Sequence, residues 1–219
     1  MPMGDRKQVT FYEDAITNAS YEPIAGKYFL FTKDIGGNEF SQLYRFDVAT
    51  GEVAMISDGG RTQNGGMVWS RSGKQIAYSS TRRNGADRDI YIMDPANPSS
   101  DKRILESAGG GWGILDWSPD DKKLLIFESI SANESHYWIA DIAAGTKTAL
   151  TNRDEKNISY GNATFTNNGK GIYFITDKDN EFRRLAYMDL ASGKINYISN
   201  IPWDIESFTM SKDGAQVVF

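Results

Sequence analysis

Apolar residues in this chain come in short runs, among them Tyr28-Phe29-Leu30-Phe31, Ile76-Ala77-Tyr78, Leu124-Leu125-Ile126-Phe127 and Ile172-Tyr173-Phe174-Ile175. Clusters of Ser, Thr, Asn, Asp and Gly separate them. Runs of this length, rich in β-branched and aromatic residues and bounded by turn formers, predict strands. No segment keeps helical spacing of apolar positions over three turns, so the chain predicts as all-β.

The runs recur in register. One copy reads Val68-Trp69-Ser70-Arg71-Ser72-Gly73-Lys74, then Gln75 to Ser80, then Asp89-Ile90-Tyr91-Ile92-Met93-Asp94. The next reads Asp116-Trp117-Ser118-Pro119-Asp120-Asp121-Lys122, then Leu124 to Phe127, then Tyr137-Trp138-Ile139-Ala140-Asp141. A third runs from Phe165-Thr166-Asn167-Asn168-Gly169-Lys170 to Met188-Asp189, and a weaker one from Ala25-Gly26-Lys27 to Phe46-Asp47. The strand-ending aspartates Asp47, Asp94, Asp141 and Asp189 lie 47, 47 and 48 residues apart, and Trp69, Trp117 and Phe165 are 48 apart. Each unit predicts four short strands. Its Ser/Thr turn joins strands one and two, and an Asp followed by Gly joins strands three and four, the carboxylate capping the turn. Repeated four-stranded units of this length predict a β-propeller of antiparallel blades. There are about four full blades, near residues 18–58, 64–106, 112–152 and 160–200, in a single domain spanning residues 1–219.

The ends fall off the blade boundaries. Val9-Thr10 matches the fourth-strand endings Ile56-Ser57, Leu150-Thr151 and Ile198-Ser199, so residues 1–12 read as the outer strand of a partial blade. Residues 207–219, with Met210-Ser211-Lys212-Asp213-Gly214 and Val217-Val218-Phe219, read as strands one and two of another. Either these share one blade that lacks strand three, or the chain is a segment of a longer propeller. The missing strand favours the segment, and open sheet edges favour edge-to-edge homo-oligomers.

Trp117-Ser118-Pro119-Asp120-Asp121-Lys122-Lys123-Leu124 and Tyr91-Ile92-Met93-Asp94 resemble the repeats of TolB-like propellers and of the prolyl oligopeptidase family of serine peptidases. Ser79 to Gly85, Asp89 to Pro95 and Gly109-Gly110-Gly111-Trp112-Gly113 are more similar to the peptidase group of dipeptidyl and acylaminoacyl type. The resemblance covers nearly the whole chain. It implies a propeller that caps an α/β-hydrolase domain and filters its peptide substrates; the TolB-like alternative implies a protein-interaction propeller without enzymology. The chain departs from the peptidase pattern in lacking a Gly-X-Ser-X-Gly nucleophile elbow. Its one histidine, His136, sits at the strand-three position of Gln42, Asp89 and Arg184, where polar residues predict an exposed site. No catalytic residue is expected within the chain, and the parent reaction would be peptide hydrolysis.

Composition narrows the partners. With 24 basic against 29 acidic residues the net charge is −5, which argues against nucleic acid or an anionic membrane. No apolar run reaches membrane-spanning length. Without cysteine there are no disulfides or thiolate metal sites, and the compartment, cytoplasmic or periplasmic, stays open. The repeated aspartates lie one per blade, far apart, so they predict turn caps rather than a metal ring, and no cofactor is expected. The loops between strands two and three break the repeat, and such loops carry function. Arg82 and Arg83 are candidates to grip a carboxylate, Glu134 to hold a peptide ammonium, Asn133 to bind substrate or partner, and Trp112 to face a ligand or neighbouring domain; solvated loops are the alternative.

Overall fold

A computed structural model of the chain describes Gly4 and residues 7–219. Among these residues there is no helix, and eighteen strands form five antiparallel sheets. The first is β1(Thr17–Tyr21), β2(Tyr28–Lys33), β3(Gln42–Asp47) and β4(Val53–Met55). The second is β5(Asn64–Trp69), β6(Ile76–Ser80), β7(Asp89–Asp94) and β8(Asn97–Leu105). The third is β9(Trp112–Trp117), β10(Lys123–Ser131), β11(Glu134–Asp141) and β12(Thr146–Ala149). The fourth is β13(Tyr160–Phe165), β14(Gly171–Thr176), β15(Arg184–Asp189) and β16(Ile195–Tyr197). A two-stranded sheet, β17(Thr209–Met210) and β18(Val217–Val218), ends the chain. Each four-stranded sheet is a meander whose neighbours in sequence are neighbours in space. These are the blades of a propeller.

Local chemistry forms each blade. Asp47 and Asp189 accept the N–H groups of Thr50 (3.0 Å) and Ser192 (2.9 Å). Gly51 and Gly193 follow at φ of 76° and 70°, a conformation that costs glycine no Cβ clash. The N–H after each of three strand-ending aspartates, at Val48, Ile142 and Leu190, donates to the carbonyl of the turn lysine, Lys27, Lys122 or Lys170. Strand-one and strand-three turns are thereby tied at one end of the blade. At the other end the loops between strands two and three bond to the linkers that enter the next blade, as in Arg88 N–H to the Gly109 carbonyl and Ile205 N–H to the Arg183 carbonyl. The innermost strand of every four-stranded blade carries a bulge where it pairs with strand two.

Apolar residues from adjoining blades form the core. Trp117 is completely buried in a cluster that includes Ile90, Ile92 and Ile104 of the second blade and Leu124 and Ile126 of the third. Its indole N–H donates to the Val68 carbonyl at 3.0 Å, and the Trp69 indole donates to Ser20 Oγ at the same distance, each a link to the preceding blade. Phe165, at the same repeat position, packs without such a link.

Two sequence expectations are corrected. The expected outer strand over residues 1–12 is not formed where it is described: residues 7–12 adopt no strand, while residues 1–3, 5 and 6 lie outside the described residues. Tyr12 instead packs against Phe31 and lies under the Lys33 ammonium. His136 is not exposed: only 2% of its surface reaches solvent. Its Nδ1 lies 3.3 Å from Thr151 Oγ1 and its Nε2 3.7 Å from Glu134 Oε1. In three of the four blades, at Gln42, Asp89 and His136, this position is a polar clip joining strand three to the segment leaving strand four, whereas Arg184 bonds the Lys178 carbonyl of the preceding loop and lies over the Tyr197 ring. Gln42 accepts from Ser57 Oγ (2.6 Å) and the Gly59 N–H (3.0 Å), while Asp89 accepts the Ser107 N–H at 3.0 Å. Beside the clip, hydroxyls of Ser57, Thr151 and Ser199 accept the N–H groups of Leu43, Tyr137 and Leu185. The position is polar because it is a buried junction, where polar groups must be paired.

Candidate functional site

Two regions gather chemically capable side chains: the loop end of the second and third blades, and the inner strands at the tight-turn end.

At the loop end, the candidate arginines already have partners. Arg82 pairs with Asp101, donates to the Tyr78 hydroxyl at 3.3 Å, and lies 3.7 Å over the Tyr91 ring. Arg83 contacts Asp89 (2.7 Å) and Asp87 (2.9 Å), and donates to the Ser107 carbonyl at 2.8 Å. Asp89 is fully buried, and Arg83 is its nearer counter-ion, with Arg103 at 3.4 Å the second. The Asn84 side chain and then the Gly109 N–H hold Asp87 below the usual aspartate range. Both guanidinium groups thus serve the blade that carries them.

Trp112 is buried, not offered to solvent. It packs on Trp138 at 5.6 Å, donates its indole N–H to the Ala108 carbonyl at 2.8 Å, and carries the Lys147 ammonium 3.8 Å over its ring. Burial there keeps Lys147 below its ordinary pKa. The glycines before Trp112 do allow a close approach, but to the protein itself: a Cβ on Gly111 would overlap the Ser129 carbonyl. Asn133 stands exposed at the tip of the β10–β11 hairpin, accepting from Ser131 Oγ at 2.9 Å. Glu134 is half-buried; the Asn157 N–H, followed by Lys156, lowers its pKa. Thr151, His136 and Glu134 form a line that looks like a hydrolytic relay. The Thr151 hydroxyl, however, is buried and accepts the Tyr137 N–H at 3.1 Å, which withholds it from any substrate.

The second region escaped sequence reasoning. Arg71, in the turn between β5 and β6, reaches across two neighbouring blades. Its guanidinium pairs with Asp116 of β9 and donates through Nε to the Trp117 carbonyl at 3.2 Å. Asp116 also accepts from Thr164 Oγ1 (2.6 Å) and the Phe165 N–H (2.8 Å) of β13. The Asp121 carboxylate accepts the Arg71 and Ser72 N–H groups from the other side. One arginine and one buried aspartate therefore join three blades. Beside them opens a cavity of about 280 Å³, lined by Arg71, Asn162, Thr164 and Asn167 with Phe208 to Lys212. The only signal in the sequence was an arginine in a turn where the other copies carry Pro119, Asn167 and Lys212.

The chain is 21% identical to TolB of Acinetobacter baumannii in the superposition of the two structures, with a TM-score of 0.66 over 96% of this chain and 50% of that one. The fold is the TolB-type propeller. A puromycin hydrolase superposes with a TM-score of 0.62 over 93% of this propeller and 32% of the hydrolase chain, at 12% identity. In sequence the propeller is 26% identical to dipeptidyl-peptidase 5 of Porphyromonas gingivalis over 155 residues, which is 66% of this chain and 22% of that protein's length. The resemblance to peptidase propellers thus extends from short motifs to most of the chain. No family model matches it.

Proposed function

We propose that this propeller is the non-catalytic part of a prolyl-oligopeptidase-type serine peptidase, admitting short peptides and docking an α/β-hydrolase domain. The sequence similarity to dipeptidyl-peptidase 5 carries this reading, because it adds specific residues to a fold that many unrelated functions share. The rigid frame suits such a role: polar clips and indole links fix the blades, and the loops are tied to the linkers beside them. Size selection needs an opening that does not widen under load. Bond cleavage would fall to a serine, histidine and acid outside this propeller.

The test is peptide hydrolysis by the full polypeptide encoded across this region, compared with a version lacking residues 1–219. The intact protein is expected to cleave di- and tripeptide substrates and spare long unfolded polypeptides, and the deletion to lose that selectivity. Equal size selectivity in both would refute gating, and no peptidase activity would refute the parent reaction. The TolB likeness supports a second reading, a protein-interaction propeller, which predicts stable capture of a protein partner without peptidase activity.

A further inference from the structure

The cavity beside Arg71 is walled by the residues that join the second, third and fourth blades, yet it opens to solvent. Its lining is mainly polar, with Asn162, Thr164, Asn167, Ser211 and Lys212 around Phe208 and Met210. Arg71 is the charged group held most firmly there. Nε and Nη2 are fixed by the Trp117 carbonyl and Asp116, while Nη1 forms no hydrogen bond among the described residues. Its side chain is 37% exposed. A planar guanidinium anchored on one edge presents its other edge ready-oriented, the arrangement that recognises a carboxylate. Asp116 offsets the charge of Arg71 and Asp121 holds the turn behind it, so Arg71 offers an oriented donor edge while the uncompensated cation on the rim is Lys212. Asp116 is buried and answers four donors: Arg71, Thr164, and the N–H groups of Trp117 and Phe165. Lys212, exposed on the same rim, forms no ion pair among the described residues and adds a second cation.

We propose that this cavity binds the carboxylate of a small ligand, with Arg71 as the recognition residue, Lys212 as supporting cation and Phe208 with Met210 as the apolar wall. The size, near the low end for small-molecule sites, suits a group of one or two residues. Two sources offer this chemistry, the C-terminus of a short peptide and a uronic acid. The peptide source rests on the function proposed above, whereas the carboxylate site itself does not.

Calorimetric titration of the full chain with a tripeptide bearing a free carboxylate, the same tripeptide as its amide, and digalacturonate separates these. The expected result is binding of at least one free carboxylate at millimolar concentration or better, with the amide at least tenfold weaker if the peptide is the ligand. Lys212→Ala, which removes no bond within the fold, is expected to weaken binding several-fold. Arg71→Lys, which keeps a cation but loses the planar fork, should weaken it tenfold or more. Binding of digalacturonate alone would keep the carboxylate site and count against the peptide reading. Failure of all free carboxylates to bind, or equal binding of acid and amide together with an unaffected Lys212→Ala variant, would overturn the proposal.

Discussion

Replacing Trp117 tests how the blades are held together. Its side chain is fully buried, so Trp117→Ala removes the whole apolar surface and leaves a cavity, a change that costs about 3–5 kcal/mol at such sites. Within that sum lies the indole bond to the Val68 carbonyl of the preceding blade, which stays in the β5–β6 ladder opposite Ala77; losing such a bond costs about 0.5–1.5 kcal/mol. Trp117→Phe separates the two contributions. It keeps much of the apolar volume but not the N–H, and is expected to cost about 1–2 kcal/mol, from the lost bond and the smaller ring together. For a domain stable by about 5–15 kcal/mol, the alanine variant loses a large fraction of the total. Urea denaturation reads both as shifts in midpoint at constant slope. If Trp117→Phe costs less than about 0.5 kcal/mol, the indole link is not a stabilising bond between blades. If even Trp117→Ala costs less than about 1 kcal/mol, the inter-blade packing described here is wrong.

Three further outcomes are expected. His136→Ala should lower stability by about 1–3 kcal/mol in thermal melts, because Thr151 and Glu134 lose a buried partner; a change below about 0.5 kcal/mol would return the residue to an exposed strand. Arg83→Ala should cost about 3 kcal/mol or more by leaving Asp89 buried with only Arg103 opposite it, and Asp89→Asn in the same background should recover part of that loss, with no recovery refuting the counter-ion role. Asp47, Asp120 and Asp189 are held below the ordinary aspartate value by the Thr50 N–H, the Ser118 hydroxyl and the Ser192 hydroxyl respectively. Each therefore adds stability that is present above about pH 4 and disappears as pH falls through its lowered folded value. Melting temperatures should fall progressively below that pH, and Asp189→Asn should flatten the fall; an identical pH profile in the variant would refute the turn-cap account.

The sequence by itself determined the blade. Alternating strand and turn residues are local features, and an Asp with a Gly four residues on specifies the turn whichever blade lies next to it. Four copies in register then leave few architectures besides a propeller. The tertiary structure decided everything that depends on side chains brought together from different strands, linkers and blades. Polarity at His136, Gln42 and Asp89 looked like exposure, because a pattern along the chain cannot distinguish a solvated position from a buried one with partners supplied by a later strand or linker. Trp112 looked available because it follows three glycines, yet Trp138 and Lys147 of its own blade close over it. Arg71 looked like one more turn residue; only the stacking of three blades sets Asp116 and Thr164, 45 and 93 residues further on, against its guanidinium and opens a cavity beside it. Strand periodicity is written in neighbouring residues, whereas the pairing of a buried charge is settled by which blade faces meet.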